Sequence, residues 1–229
     1  MDSVLITGAD RGVGYALCEE FIAHGWKVLA GQFMPEWKQL EELKKKAPDQ
    51  LEIIPLDVGK DESVKKAAEL AGSLVDQLDV LVNCAGIGGQ EDGRSVMRAV
   101  FGVNTLGPMR MVEAFLPMMQ TGKKRLCFVS SEAGSISVAH REGCSMYCLS
   151  KTSLNMAVRL IFNQLNPEGY SFRLYHPGWV RSYMMGTKST VGNFEPEETA
   201  AVAFRQFTSN RDWEDTLVMT DVSDHAWPF

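Results

Sequence analysis

The sequence predicts an α/β fold, a single doubly wound parallel sheet of about seven strands with helices on both faces. Strand-like and helix-like segments alternate from the first residues onward, which is the order expected of a parallel sheet. The strand-like segments are continuously apolar, as expected where helices cover both faces. No linker or repeat interrupts the alternation, so we predict one domain over residues 1–229.

The first half of the chain supplies four strands and three helices. The predicted strands are 4–7, 27–30, 51–56 and 78–82, and the predicted helices are 12–24, 36–46 and 61–76. In the first helix, Val13, Leu17 and Phe21 are four apart and share one face. The third helix repeats this spacing, so both helices should pack against the sheet.

The second half continues the pattern with longer helices. The predicted helices are 95–120, 145–165 and 196–208, and the predicted strands are 126–129, 172–175 and 217–220. We expect Gly107-Pro108 to interrupt the first of these helices. The helix over 145–165 is amphipathic, which indicates that one of its faces packs against the sheet.

Composition and charge exclude several functional classes. The net charge of −6 and the scattered basic residues argue against nucleic-acid binding. No apolar run approaches the 18 or so residues that a membrane span needs, so we expect no membrane partner. The start of the chain lacks a basic and apolar leader, and its five cysteines are odd in number without a C-x-x-C pair. These features predict a cytoplasmic protein in a reducing compartment. We predict no metal site.

A glycine-rich turn, Thr7-Gly8-Ala9-Asp10-Arg11-Gly12-Val13-Gly14, joins the first strand to the first helix. Gly8 lets the chain turn off the strand, Gly12 lets backbone approach a pyrophosphate, and Gly14 lets the helix pack close to the sheet. The helix N-terminus also offers free N–H groups and a positive dipole end. In this context the turn predicts a dinucleotide site on a Rossmann-type sheet.

Polar residues also follow the third and fourth strands. Asp57-Val58 follows one and Asn83-Cys84-Ala85-Gly86 the other, at the edge where open α/β sheets bind ligands. Asp57 can accept a hydrogen bond from an adenine amino group, or it can cap the next helix. The residues alone do not separate these two interpretations.

Tyr147 and Lys151 lie four apart on the helix over 145–165 and therefore share a face. A cation near a phenol favours the phenolate and lowers its pKa. A tyrosine placed in this way can act as a general acid or base near neutral pH.

Six motifs, in order, resemble those of short-chain dehydrogenases/reductases over nearly the whole chain. They are the glycine turn 8–14, residues 83–86, Asn104, Ser130-Ser131, Tyr147-x-x-x-Lys151 and Pro177-Gly178. Within that family the chain resembles the small carbonyl-reductase-like members called C-factor-like proteins. The residues behind this are 177–181, 197–201 and Trp227-Pro228-Phe229.

The resemblance implies an NAD(P)(H)-dependent oxidoreductase that transfers a hydride between a nicotinamide cofactor and a carbonyl or secondary alcohol. Tyr147 resembles the general acid, Ser131 the hydroxyl that polarises the carbonyl oxygen, and Lys151 the group that holds the nicotinamide ribose. Asn104 resembles the residue that orders a water beside Lys151. The residues implied to bind the cofactor are Gly8, Asp10, Arg11, Gly12, Val13, Gly14, Asp57, Val58, Asn83, Ala85, Gly86, Tyr147, Lys151, Pro177, Gly178, Val180 and Ser182.

The chain departs from the family pattern between Ser131 and Tyr147. These residues are sixteen apart, about three more than the family usually has. We expect the extra residues to form a loop near His140-Arg141-Glu142, and Ser130 is a rival for the serine role. A second interpretation of the whole chain is a dinucleotide sensor or scaffold without turnover. The complete set of Tyr147, Lys151, Ser131 and Asn104 favours the enzyme.

The second strand bears on the choice of cofactor. It ends in Gln32-Phe33, with neither the acid typical of NAD sites nor a basic residue, and we expect no carboxylate there to repel a phosphate. Arg11 resembles the basic residue that NADP-using relatives carry in the glycine turn. We therefore favour NADP(H), with NAD(H) possible. In the alternative, Arg11 is a solvated loop residue and Gln32-Phe33 set the preference.

Residues 179–195 should cover the substrate, for which we name Trp179, Met184 and His140 as contacts. With Tyr183, Met185 and Phe194, this segment predicts an apolar, adaptable lining. An apolar ketone or aldehyde fits it. We also expect a homodimer or homotetramer, because the helices over 95–120 and 145–165 carry outer apolar residues such as Met109, Met156 and Phe162.

Overall fold

The computed structural model describes residues 1–88, 94–184 and 186–229 of the chain. Its strands are β1 Ser3–Ile6, β2 Lys27–Gln32, β3 Leu51–Pro55, β4 Val80–Asn83, β5 Arg125–Val129, β6 Ser171–His176, β7 Met219–Asp221 and β8 Ala226–Trp227. All lie in one sheet with the order β3-β2-β1-β4-β5-β6-β7-β8. Neighbouring strands are parallel except for β8, which runs antiparallel to β7.

The helices lie on both faces of this sheet, because alternate residues of each strand point to opposite sides. They are α1 Gly12–Ala23, α2 Gln39–Lys46, α3 Asp61–Leu74, α4 Arg94–Asn104, α5 Leu106–Phe115, α6 Ser145–Leu165 and α7 Pro196–Thr208. In β1, Leu5 packs with residues of α3, α5 and α6. Its neighbours Val4 and Ile6 pack with residues of α1, α2 and α7. The predicted doubly wound α/β architecture is confirmed.

Two details differ from the prediction. The break in segment 95–120 falls at Thr105, where α4 ends and α5 begins, rather than at Gly107-Pro108. Pro108 lies in the first turn of α5, where the backbone needs no N–H donor. The sheet has eight strands instead of about seven, since the two-residue β8 is too short to show a periodicity.

The outer face of α6 is more limited than predicted. Met156 is 60% exposed and Met109 on α5 is 41% exposed, as expected of outward-facing residues. Phe162 was wrongly assigned to that face, because its ring is buried against Phe172 with the ring centroids 5.2 Å apart. Within the described part of the chain, no helix has both the length and the apolar character needed to cross a bilayer.

The parallel strands bring the chemistry together at one edge of the sheet. The carboxyl ends of β1, β4, β5 and β6 lie on this edge. The glycine turn follows β1, residues 84–86 follow β4, Ser130-Ser131 follow β5, and Pro177-Gly178 follow β6. Their side chains and backbone therefore face a shared space next to the start of α6.

Candidate active site

The glycine turn is tightly locked to the end of β4. Gly8 has φ +66°, and a Cβ there would lie 2.8 Å from the Ala85 Cα. A Cβ on Gly14 would overlap the Gly8 carbonyl oxygen. The Thr7 hydroxyl accepts hydrogen bonds from the amides of Cys84 (3.0 Å) and Ala85 (2.9 Å). Two strand ends are thus fixed against each other, as a rigid cradle requires.

The N-terminus of α1 opens onto this cradle. Among the described residues, no side chain caps its first turn. The first N–H groups of a helix have no partner within the helix, so they are free to bind an anion. A Cβ on Gly12 would meet Ser182 at 3.7 Å, which places Ser182 directly beside the turn.

Asp10 lies in the turn but does not face outward. Its carboxylate is 4% exposed and accepts hydrogen bonds from the amides of Phe33 (3.0 Å) and Met34 (2.7 Å), just beyond β2. The expectation that no carboxylate lies at this strand end is therefore wrong, because the glycine turn supplies one. Its charge is compensated by two N–H donors. The side-chain nitrogen Nε2 of the neighbouring Gln32 is buried without a hydrogen-bond partner among the described residues.

Arg11 is held between two aromatic rings. Its guanidinium carbon lies 4.7 Å from the centroid of Trp37 and 5.9 Å from that of Tyr183. The two rings contact each other edge to face, with their centroids 5.0 Å apart. Tyr183 belongs to the segment 179–195, so this cluster joins that segment to the glycine turn.

Asp57, Val58 and Asn83, which were predicted to bind the adenosine side of the cofactor, differ in which protein groups already contact their side chains. The Asp57 carboxylate accepts from the Gly59 amide (2.9 Å) and pairs with Lys60 (3.1 Å), so it stabilises the turn before α3. The Val58 side chain is buried in the core. Asn83 donates to the Cys127 carbonyl (3.3 Å), and its buried Oδ1 has no partner among the described residues.

Ser131, rather than Ser130, lies against Tyr147. The Ser131 side chain is close enough to the Tyr147 phenol to act on its pKa: burial raises the pKa of Tyr147 most, and the contact with Ser131 acts to lower it. Ser130 points elsewhere and donates to the Asn155 side chain at 2.6 Å. The structure therefore brings Ser131 and Tyr147 together despite the long loop between them.

Lys151 lies behind Tyr147 on α6. Its Nζ donates to the Val129 carbonyl (2.9 Å) and lies 5.8 Å from the centre of the Tyr147 ring. Burial lowers the pKa of Lys151 to about 8. Burial also raises the pKa of Tyr147 to about 12, with the charge of Glu132 acting in the same direction. This is opposite to the shift predicted from the Tyr-x-x-x-Lys spacing, because burial dominates in the protein alone.

Asn104 is fully buried and its amide is occupied by the protein. It accepts from the Ile87 amide (2.9 Å) and donates to the Ile87 carbonyl (2.9 Å) and the Ser150 hydroxyl (3.0 Å). These bonds fix the chain after β4. A Cβ on Gly86 would meet both Asn104 Oδ1 (3.5 Å) and Lys151 Nζ (3.8 Å), so both groups border the space over Gly86.

The segment after β6 folds back over the glycine turn. Gly178 has φ +75°, and a Cβ there would lie 2.7 Å from the Phe194 ring. Val180 forms a bridge with Phe194, and the Pro177 carbonyl accepts from Thr199 (3.0 Å). Trp179 is 61% exposed and Met184 44% exposed, while His140 is exposed and contacts the Val138 carbonyl (3.3 Å). Met185, which was predicted as part of the apolar lining, lies outside the described residues.

Glu132 is a site residue that sequence reasoning missed. It follows Ser131 directly and accepts its hydroxyl proton at 2.6 Å. Arg141 donates to the other carboxylate oxygen, Oε1. His176 Nε2 lies 3.6 Å from Oε2, the oxygen that accepts from Ser131. The available signal was the length of the 131–147 segment, since Arg141 belongs to its extra loop.

Comparison with known proteins agrees with this geometry. The short chain dehydrogenase family profile matches residues 2–191. Estradiol 17-beta-dehydrogenase 2 of Mus musculus is 31% identical over 202 residues, 85% of this chain but 52% of the relative, so the chain spans about half of its length. The C-signal protein of Myxococcus xanthus is 38% identical over 120 residues, 50% of this chain and 72% of that protein.

The fold agreement extends over the whole chain. The NADPH-bound carbonyl reductase from chicken fatty liver superposes with a TM-score of 0.87 and 29% identity. The superposition covers 100% of this chain and 99% of that one. The whole chain therefore shares its fold with a carbonyl reductase of nearly the same length.

Proposed function

Because the chain belongs to the short-chain dehydrogenase family, we propose that it is an oxidoreductase that uses NADP(H) to reduce an apolar ketone or aldehyde, with Tyr147 as proton donor. The observation that carries the proposal is the meeting of the Ser131 hydroxyl, the Tyr147 phenol and the Lys151 ammonium beside the glycine cradle. These are the groups that a carbonyl reduction needs next to a nicotinamide cofactor.

The cradle fits a dinucleotide. A Cβ at Gly8 or Gly14 would collide with neighbouring backbone, so only glycine permits this tight turn, and the uncapped start of α1 presents free N–H groups to a pyrophosphate. When bound, the nicotinamide cofactor supplies the hydride. Asn83 Oδ1 and Gln32 Nε2, buried without partners among the described residues, are available to its polar atoms.

The protein's part in the reduction is the movement of one proton. Tyr147 gives its phenolic proton to the carbonyl oxygen as negative charge develops there, which leaves an alcohol and a phenolate. Because its pKa is raised to about 12, the phenol is protonated at neutral pH and ready to donate. Lys151 stabilises the phenolate that remains, and the Ser131 hydroxyl holds the phenolic oxygen of Tyr147 in position. The reverse order oxidises an alcohol.

Arg11 supports the choice of NADP(H). Its guanidinium lies in the glycine turn and is oriented by Trp37 and Tyr183, near the end of β2 where the adenosine ribose is expected. The similar chicken enzyme binds NADPH. Asp10 would oppose a phosphate, but it is buried and bound by two amides.

The substrate class follows from the apolar side chains that flank the site. Ile87 and Val138, on the loops that precede α4 and α6, are exposed, as are Trp179 and Met184 beyond β6. Exposed apolar groups of this kind favour an apolar carbonyl compound. We also propose a cytoplasmic protein that acts as one domain.

Kinetic measurement separates this proposal from a dinucleotide sensor on the same fold. We expect the protein to oxidise NADPH when it is given hydrophobic aldehydes and ketones, with a rate that saturates in both substrates. NADPH binding without turnover across a broad carbonyl panel would favour the sensor.

We further propose a homodimer or homotetramer built on α5 and α6. Leu149, Met156 and Leu160 on α6 are each at least 50% exposed, which is unusual for three apolar residues on one helix. Sedimentation at micromolar concentration should show a species at least twice the 25.4 kDa chain mass. A single 25.4 kDa species would contradict it.

A further inference from the structure

A partly buried carboxylate lies next to the Ser131 hydroxyl. Glu132 is 13% exposed and occupies the turn after β5. One carboxylate oxygen accepts the Ser131 hydroxyl (2.6 Å), and the other accepts two N–H groups of Arg141. Burying a carboxylate is costly unless donors compensate it, and here every donor belongs to the region of the site.

The hydrogen bond between Ser131 and Glu132 determines what the hydroxyl can do. A serine hydroxyl has one proton and two lone pairs. Its proton goes to Glu132, and one lone pair accepts from the Ala133 amide (3.1 Å). The Ser131 oxygen is therefore fixed from two sides where it meets Tyr147, because hydrogen bonds to a charged acceptor are short and strong.

Arg141 in turn fixes Glu132. It lies in the loop before α6, and its two contacts hold the carboxylate plane. Burial raises the pKa of Glu132, but the hydrogen bonds from Ser131 and Arg141 and the nearby positive charges outweigh burial and hold the pKa below its usual range. Glu132 is therefore ionised at neutral pH.

We propose that Glu132 is a positioning residue of this site: its carboxylate fixes the Ser131 hydroxyl, and Arg141 fixes the carboxylate. This inference rests on the proposed function, since it assigns Glu132 a role through Ser131 and Tyr147. It also explains the extra residues between Ser131 and Tyr147, because they bring Arg141 into contact with Glu132.

Other titratable groups also face this carboxylate. His176 at the end of β6 lies 3.6 Å from it, and Tyr147 and Cys148 approach it from α6. His176 itself faces Asp221 of β7. Burial lowers the pKa of His176, so it is neutral at neutral pH, and its Nδ1 has no partner among the described residues.

The first test is the Glu132→Gln variant, with Glu142→Gln as the matched control. Glu142 is an exposed carboxylate in the same loop as Arg141. We expect Glu132→Gln to lower kcat by about 10- to 150-fold, the value of a charge-assisted hydrogen bond. KM and the NADPH dissociation constant should change little, and Glu142→Gln should behave like the wild type.

A second test shows whether Glu132 acts through Ser131. In a Ser131→Ala background, Glu132→Gln should cause no further loss of kcat, because the hydroxyl that it positions is gone. Independent, multiplicative losses would mean that Glu132 acts by another route and would overturn the proposal.

The third test uses the pH profile. Glu132 has to be ionised to accept the Ser131 proton, so kcat falls as pH drops through its pKa. Arg141→Gln removes the guanidinium that lowers this pKa, so the acid limb of kcat should move to higher pH. The fall of kcat at low pH should persist in the Arg141→Gln, His176→Asn double variant. It should be absent from the Arg141→Gln, Glu132→Gln double variant.

The outcomes keep this inference separate from the proposed function. An active wild type with an equally active Glu132→Gln variant, or an acid limb that survives Glu132→Gln, refutes the inference and leaves the function intact. A wild type that turns over no carbonyl refutes both. The carboxyl carbon resonance of Glu132, assigned by its absence in Glu132→Gln, reports the same titration without turnover.

Discussion

Two clusters of charged side chains lie at opposite ends of β5 and β6. Towards the amino ends, Arg125 and Arg173 meet Glu214. Beyond the carboxyl ends, Arg141 meets Glu132. The first pair is largely buried, whereas Arg141 of the second is 40% exposed, and only the second lies beside the proposed catalytic groups.

The amino-end cluster is satisfied by the protein. Arg125 donates to the carbonyls of Phe207 (2.9 Å) and Ser209 (2.7 Å), and Arg173 donates to Ser209 (2.7 Å) and to both carboxylate oxygens of Glu214. The two guanidinium groups therefore cap the carboxyl end of α7, where free carbonyls and the negative end of the helix dipole favour cations.

The carboxyl-end cluster leaves a polar atom without a partner. His176 Nε2 lies 3.6 Å from Glu132, and the buried Nδ1 of the same ring has no hydrogen bond to any described residue. Such groups are rare in native proteins and require a partner from outside the chain or a functional reason. The presence of an ion pair therefore does not distinguish a functional cluster from a structural one, whereas incomplete hydrogen bonding does.

The largest effect should come from Tyr147→Phe at the carboxyl edge. Removal of the phenolic oxygen takes away the proton donor while the ring still fills its place, so kcat should fall by about 10²- to 10⁴-fold. NADPH affinity and the thermal unfolding midpoint should stay close to those of the wild type. A variant that turns over near the wild-type rate would remove Tyr147 from the mechanism.

Ser131→Ala and Ser130→Ala should separate function from structure within two adjacent residues. Ser131→Ala should lower kcat by about 10²-fold, at least as much as Glu132→Gln does, because Tyr147 loses the hydroxyl oxygen that positions its phenol. Ser130→Ala should instead lower the free energy of unfolding by about 1–3 kcal/mol, because the buried Asn155 side chain loses its donor. If Ser130→Ala has the lower kcat, the assignment of Ser131 is wrong.

At the amino ends, Glu214→Gln should destabilise the fold without slowing the chemistry. The nearly fully buried Arg173 would lose its charged partner, which costs about 3 kcal/mol of unfolding free energy, the lower end for a buried pair because Glu214 is 30% exposed. Denaturant unfolding measures this, with the exposed neighbour Asp215→Asn as control. If Glu214→Gln lowers kcat as much as Glu132→Gln does, at temperatures where the variant is still folded, the distinction between a structural cluster and a functional one is wrong.

The sequence predicted the elements better than the links between them. The bounds of α6 and α7 follow from apolar spacing and from Pro196 at the first position of α7, both of which are local signals. The pairing of Ser131 with Tyr147 follows from the motif order. Glu132 was missed because its partner Arg141 is nine residues away in a loop without periodicity.

The same limit explains the reversed shift at Tyr147. The spacing from Lys151 is visible in the sequence, but the burial of the phenol depends on how the surrounding loops pack. In the structure, burial outweighs the nearby cation and raises the pKa of Tyr147 to about 12. Residue spacing predicts which side chains are neighbours on a helix. It does not predict how far the fold buries them from solvent.

The smallest of these effects concerns Arg11, which, unlike the arginines of the two clusters, is held by aromatic rings and not by a carboxylate. Arg181 pairs with Glu195, but Arg11 is held by the faces of Trp37 and Tyr183, which orient a guanidinium without neutralising it. Its charge is therefore available to an anion. A charge-assisted contact with a 2′-phosphate contributes roughly 1.5–3 kcal/mol, or about 10- to 150-fold in affinity.

Arg11→Ala should accordingly weaken NADPH by about 10- to 150-fold and change NADH far less, because NADH has no 2′-phosphate. The difference should shrink as salt rises, since Arg11 is partly exposed. Fluorescence titration with each cofactor measures it, and Lys45→Ala, an exposed cation on α2, controls for the loss of a positive charge. Equal and small changes for both cofactors would move the preference to Gln32 and Phe33, and a wild type that prefers NADH would refute the NADP(H) assignment while the enzyme class stands.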